Sequence, residues 1–217
     1  MLKVQMAVGL SLGLLMAGQA QAINVIQNPS FEDPAIGSPF HSTVVPTGWS
    51  SVGAHGDGNV WRIGYVDGGG NVTVAGEGQQ FVTMGGGFSQ VGTGSWEQTV
   101  NGVTPGLYNL SFMMANEGNC CGQQSITVSF LSGSSTAPQT FTATTFAGNY
   151  WKSWETKNMS FNVTGNSFAI KFGATTQFDV GLDHVIAEKA QSAVPEPASL
   201  LLLGSGLAGL VAWRRRS

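Results

Sequence analysis

The sequence predicts an all-β protein in which two antiparallel sheets pack face to face. Three observations carry that prediction. First, apolar side chains alternate with polar ones in four separate runs. Tyr108, Leu110 and Phe112 share one face after Pro105-Gly106, and Ile126, Val128 and Phe130 repeat the pattern. Met159, Phe161 and Val163 follow, then Phe168, Ile170 and Phe172. A period of two buries one face of a strand, and two such faces cover each other in a sandwich. Second, the runs are separated by turn-forming stretches rich in Gly or in Ser and Thr, at residues 117–123, 132–139 and 164–166. Third, no internal window holds a 3.6-residue apolar period for three turns. Glycine supports the same reading: 25 of the 31 glycines fall within residues 23–190, where frequent tight turns would place them.

The chain divides into three parts. Lys3, a mostly apolar stretch over residues 8–17 and the small-residue site Ala20-Gln21-Ala22 read as a signal peptide, residues 1–22. A membrane anchor is the other reading of that run, but it is short and its flank suits cleavage. The β-sandwich domain is then expected over residues 23–190, long enough for one core. Residues 191–217 form a tail of different character. Pro195-Glu196-Pro197 breaks regular structure and leaves an extended stretch. Residues 198–213 are apolar and predict a short transmembrane helix, followed by Arg214, Arg215 and Arg216, which favour the cytoplasmic side. Those sixteen residues span roughly 24 Å at about 1.5 Å each, short of a hydrocarbon core of about 30 Å. Snorkelling arginines or local thinning can cover the difference.

The order of the tail resembles the PEP-CTERM sorting signal, also called the ice-binding protein C-terminal domain. That resemblance implies export, an inner-membrane intermediate and processing near Pro195-Glu196-Pro197 by an exosortase-type membrane protease. It further implies a final place at the cell surface or in the extracellular matrix, in the company of exopolysaccharide or biofilm. The body resembles a second family, the galactose-binding-like carbohydrate-binding modules. Asn28-Pro29-Ser30-Phe31-Glu32 is similar to their opening, and Gly48-Trp49 to the Gly-Trp that follows it. The run 105–112 and the run 178–185, Phe-Asp-Val-Gly-Leu-Asp-His-Val, are similar to a middle and a closing strand of that family. Pro29 and His184 depart from the pattern. The resemblance implies a jelly-roll topology, a carbohydrate-binding face and a structural calcium ion held by Glu32 and Asp183, with Asp33 able to help. Calcium takes oxygen ligands, and carboxylates on adjacent first and last strands would otherwise repel. The alternative is that both are ordinary exposed acids at a sheet edge, and Asp57-Gly58-Asn59 is simply a turn.

Charge and motifs narrow the function classes. Residues 23–190 hold eleven acidic side chains against five basic ones (Arg62, Lys152, Lys157, Lys171 and Lys189), so no basic patch exists for nucleic acid. Cys120 and Cys121 are adjacent, which leaves a vicinal disulfide, two thiols or a link to another chain open. No motif pairs two carboxyls among Asp67, Glu77, Glu97 and Glu117, and His41, His55 and His184 stand far apart. Enzymatic chemistry is therefore not expected. Of the aromatic residues, Trp49 is expected in the core. Trp61 and Tyr65, and Tyr150 and Trp151 beside Trp154, lie in Gly- and Asn-rich surroundings and are the candidate exposed rings for stacking on sugar. Thr140, Thr142 and Thr144 make one short row, too little for an ice-binding array. His184 is expected to point away from Asp183, because strand neighbours alternate. The sequence thus predicts an exported, non-enzymatic surface protein with a carbohydrate-binding face. A purely structural surface protein or a polysaccharide hydrolase are the alternatives.

Overall fold

A computed structural model describes residues 22–37, 41–53, 60–64, 72–85, 94–118, 122–144, 151–175 and 178–191. The sorting tail, most of the signal peptide, the cysteine pair, Tyr65 and Tyr150 lie outside the described residues. Eleven strands follow in chain order: β1 (His41–Ser42), β2 (Ser50–Val52), β3 (Val60–Arg62), β4 (Gln80–Met84), β5 (Ser95–Asn101), β6 (Gly106–Asn116), β7 (Ser125–Ser132), β8 (Gln139–Thr142), β9 (Trp154–Val163), β10 (Ser167–Ala174) and β11 (Val180–Lys189). The described residues contain no helix.

The strands form two antiparallel sheets. One has six strands in the order β1-β3-β4-β11-β6-β9, the other five in the order β2-β5-β10-β7-β8. The four alternating runs become β6, β7, β9 and β10, and their apolar residues meet between the sheets. Phe112 packs edge-on against Phe141 and Phe172, while Phe130 stacks on Phe161 at 4.6 Å. Burying each such ring contributes about 1.5–3 kcal/mol over leaving it exposed. Trp49 is buried as expected and its indole donates to the Asn28 carbonyl at 3.1 Å. Trp96 is also buried, donating to the Thr83 carbonyl at 2.9 Å. Both rings thus satisfy their one polar atom in a dry environment.

The segment that opens the sandwich lies beside the last strand. Asn24 bridges to Glu188, and the Val25 amide donates to the Ala187 carbonyl at 2.9 Å. Strand β11 departs from regular pairing. Asp183 lies opposite Met113 and Ile186 opposite Ser111, so β11 spends three steps where β6 spends two. His184 is the extra residue, with φ 47°. This bulge overturns the expected alternation. Asp183 and His184 both reach Glu77, Asp183 by accepting its main-chain N–H at 2.8 Å and His184 through Nδ1 to its carboxylate at 3.0 Å. One inserted residue re-aims a neighbour in this way.

Candidate functional site

The outer face of the six-stranded sheet, turned away from the core, has two halves. On β11, β6 and β9 its side chains stand in register rows: Gly181–Ala115–Trp154, Asp183–Met113–Thr156, Ile186–Ser111–Asn158 and Glu188–Asn109–Ser160. Row members sit about 4.5–5.5 Å apart and successive rows about 7 Å.

The upper half is covered. Trp61, Phe81, Ala115 and Trp151 form a second apolar cluster, flanked by the half-buried Ala75 and Trp154. The Trp61 and Trp151 ring centres are 4.9 Å apart, and Phe81 lies 5.3 Å from Trp151 and 5.2 Å from Trp154. Gly181 makes the fit possible: a Cβ there would come within 2.8 Å of Trp151 Cδ1 and 2.9 Å of Trp154 Cη2. The Trp154 indole donates to the Val74 carbonyl at 2.7 Å, tying the residues before β4 to β9. Trp61 is only 7% exposed and Trp151 only 1%. The expectation of an exposed stacking platform at these two rings is therefore corrected: they pack on each other and on the sheet. Tyr65 and Tyr150 lie outside the described residues.

The lower half is open. Asn109, Ser111, Asn158, Ser160, Ile186 and Glu188, with the main chain of Leu110 and Met159, line a shallow groove of about 440 Å³. Ser160 donates to the Asn109 side-chain oxygen at 3.0 Å, which fixes that amide's orientation. The lining supplies amides and hydroxyls that both donate and accept, one apolar side chain and one carboxylate. Hydrolysis of a glycosidic bond uses a pair of carboxyls; the groove's described lining offers Glu188 alone. Sequence reasoning passed over these residues. The available signal was their placement: they occupy the outward positions between the inward apolar residues of β6 and β9.

The acidic residues gather where the N-terminal segment, the residues before β4 and the β11 bulge meet. Glu32 Oε1 accepts the main-chain N–H groups of Gln79 and Gln80 at 2.6 and 2.8 Å. Gly78, with φ +67°, lies directly against that carboxylate, where a side chain would clash. Asp183 is fully buried and accepts from the Glu77 and His184 amides at 2.8 and 2.7 Å. Burial pushes its carboxyl up to about 8, the main-chain donors pull the other way, and the Glu32 charge adds to the rise. Glu77 is held below its ordinary value, first by the Ser30 hydroxyl that donates to it and then by His184. Glu32 and Asp183 thus both accept main-chain N–H groups from the segment that leads into β4. Among the described residues, no three His, Cys, Asp or Glu side chains form a metal cage. Asp33 is exposed and contributes its main chain, through Asn28 and Thr47.

Comparison with known proteins fits this architecture. A carbohydrate-binding module, TmCBM61, solved with β-1,4-galactotriose, superposes with a TM-score of 0.51 at 16% identity, covering 77% of this chain and 99% of that one. The K3 cleaved adhesin domain of Lys-gingipain from Porphyromonas gingivalis gives 0.48 at 17% identity, covering 78% and 100%. A family 35 carbohydrate-binding module from Clostridium thermocellum gives 0.41 at 16% identity, covering 65% and 99%. The first of these shows the shared jelly-roll sandwich. No curated protein matches the sequence. Residues 193–216 match the PEP-CTERM protein-sorting motif, so the chain carries that motif at its C-terminal end. Residues 24–180, almost the whole sandwich, match the family described as protein of unknown function (DUF642), and the chain belongs to that family.

Proposed function

We propose that this is an exported, non-catalytic polysaccharide-binding protein of the cell surface or extracellular matrix, and that the open half of the outer sheet face is its binding surface. The observation that carries the reading is the groove itself. Asn109, Ser111, Asn158 and Ser160 present donors and acceptors in fixed rows on a rigid sheet, beside the apolar Ile186. Sugar hydroxyls also donate and accept, so a strip of this composition matches a glycan chain laid along it. The sorting motif supports export, passage through the inner membrane and processing at Pro195-Glu196-Pro197 by an exosortase-type protease. Association with exopolysaccharide or biofilm is the corresponding role.

Affinity electrophoresis through gels containing soluble polysaccharides tests the binding reading. β-1,4-Galactan is the first probe, since TmCBM61 was solved with its trisaccharide. Retardation is expected, and Ser111→Trp, which fills the groove, should weaken it about tenfold or more, a loss of about 1.4 kcal/mol. If no polysaccharide retards the protein, the structural surface-protein reading takes over, and turnover of a labelled polymer would overturn the non-catalytic one. For sorting, the intact mass of the mature protein should lack residues 1–22 and end near Pro195. A mature form that retains Arg214, Arg215 and Arg216 in an exosortase-competent host would overturn the processing reading. For the metal, we propose that Glu32 and Asp183 hold a structural calcium ion, whose role is to neutralise two converging carboxylates. Chelation should then lower the melting temperature, and an unchanged melting curve would remove the claim.

A further inference from the structure

We infer that the groove selects uncharged or amine-bearing glycans and rejects polyuronates, with Glu188 setting that choice; this rests on the glycan-binding reading above. The described lining contains one carboxylate and no cation. Glu188 is half-buried between Asn109 of β6 and the bridging residue Asn24, in the outer row nearest the end of β11. Among the described residues, no cation pairs with it: the ion pairs are Lys157 with Glu155, Lys171 with Glu97 and His184 with Glu77.

The neighbouring cations are directed elsewhere. Lys189, the next residue along β11, donates its ammonium to the Thr104 hydroxyl at 2.7 Å. Lys157 stands opposite Phe112 in register, on the core side of β9, and is held by Glu155 at 2.6 Å. His184, two residues before Ile186 on β11, is paired with Glu77 and does not line the groove. A uronate residue entering the groove would meet like charge without a cation to offset the loss of its hydration. A sugar hydroxyl meets the opposite situation. It can donate to the Glu188 carboxylate in a charge-assisted hydrogen bond, and a sugar ammonium can do so more strongly. One side chain therefore both accepts the favoured ligand and repels the disfavoured one.

The test compares the full-length chain with its E188Q variant, which keeps the shape and one acceptor oxygen while removing the charge. Binding to β-1,4-galactan, chitosan oligosaccharide and polygalacturonate is measured at about 0.01 M salt, where charges act over about 30 Å, and at about 1 M, where they act over about 3 Å. At low salt the unmodified protein should bind galactan about tenfold or more tightly than polygalacturonate, and the gap should narrow at high salt. E188Q should close that gap about threefold or more at low salt, because it strengthens polygalacturonate binding and also weakens galactan binding by removing the charge from their shared hydrogen bond. Equal low-salt binding of galactan and polygalacturonate, or an E188Q ratio identical to the parent's, overturns the charge selection while leaving glycan binding intact. Failure of both proteins to bind any of the three polymers overturns the glycan reading and this inference with it.

Discussion

The two halves of the outer sheet face use the same strands to opposite ends. In the upper half every residue of β4 is buried, because Trp61, Phe81, Trp151 and Trp154 cover the sheet on the side away from the core. In the lower half the outward residues of β9, Thr156, Asn158, Ser160 and Asn162, are all exposed. The difference starts in the sheet itself. Gly181 and Ala115 leave a depression into which two indoles settle, whereas Ser111 and Asn109, two and three rows below, keep their polar atoms where water or a ligand can reach them. Tryptophans in a glycine-rich setting invite a ligand-stacking interpretation, but here the rings are the cover of a second, smaller core. The surface available to a ligand is made of amides and hydroxyls.

The sharpest way to break this comparison is Trp151→Ala. If the upper cluster is a core, the variant should lose about 3–5 kcal/mol of stability in urea denaturation, the usual cost of deleting a fully buried large aromatic ring. A loss below about 1 kcal/mol would place the ring on the surface and return it to the list of ligand contacts.

The second largest effect belongs to Asp183, which sits at the boundary between the halves. Its folded carboxyl lies up at about 8, against an ordinary value of 3.8. Between these values the folded protein holds a proton that the unfolded chain has released. The stabilisation from that proton is fully present below about pH 4 and is lost as pH rises to about 8, at up to about 1.4 kcal/mol per pH unit. Glu77 acts in the other direction, stabilising above its ordinary value of 4.5 and ceasing to do so as pH falls through its lowered folded value. Melting temperatures in chelator should therefore fall from pH 5 to 8, and Asp183→Asn should flatten that limb. Added calcium should flatten it too, by keeping the carboxylate ionised. A pH-independent melting temperature in chelator would show that Asp183 keeps its charge without help.

Gly181→Ala sharpens the comparison with a smaller perturbation. The added methyl would press on both indoles, so a loss of about 1–3 kcal/mol is expected from overpacking, read by the same denaturation midpoint. A neutral or stabilising result would mean that Trp151 and Trp154 can lift off the sheet.

How far the sequence could be read follows the range of the interactions involved. The inward faces of β6, β7, β9 and β10 were legible because alternation is local, and each run carried three apolar residues in step. Trp49 was legible too, from the residues around it. Burial of Trp61 and Trp151 was not, since it depends on Gly181 and Phe81, which stand far from both in sequence. The meeting of Glu77 with His184 spans 107 residues and depends on a bulge at a residue with no glycine to mark it. The groove was hidden for another reason. Its residues are ordinary solvated strand positions one at a time, and only the register of three strands assembles them into rows.

The smallest expected effect completes the contrast. Asn158 is exposed, stands opposite Ser111 and lines the open half. Truncating it removes no buried contact, so Asn158→Ala should change stability by less than about 0.5 kcal/mol. The same substitution should weaken galactan retardation, because it deletes the only side chain in its row able to donate two hydrogen bonds at once. The pair of measurements separates a binding strip from a structural one. If Asn158→Ala unfolds as readily as Trp151→Ala, the lower half is part of the packed fold, and the division of this sheet face into a sealed half and a receptive half fails.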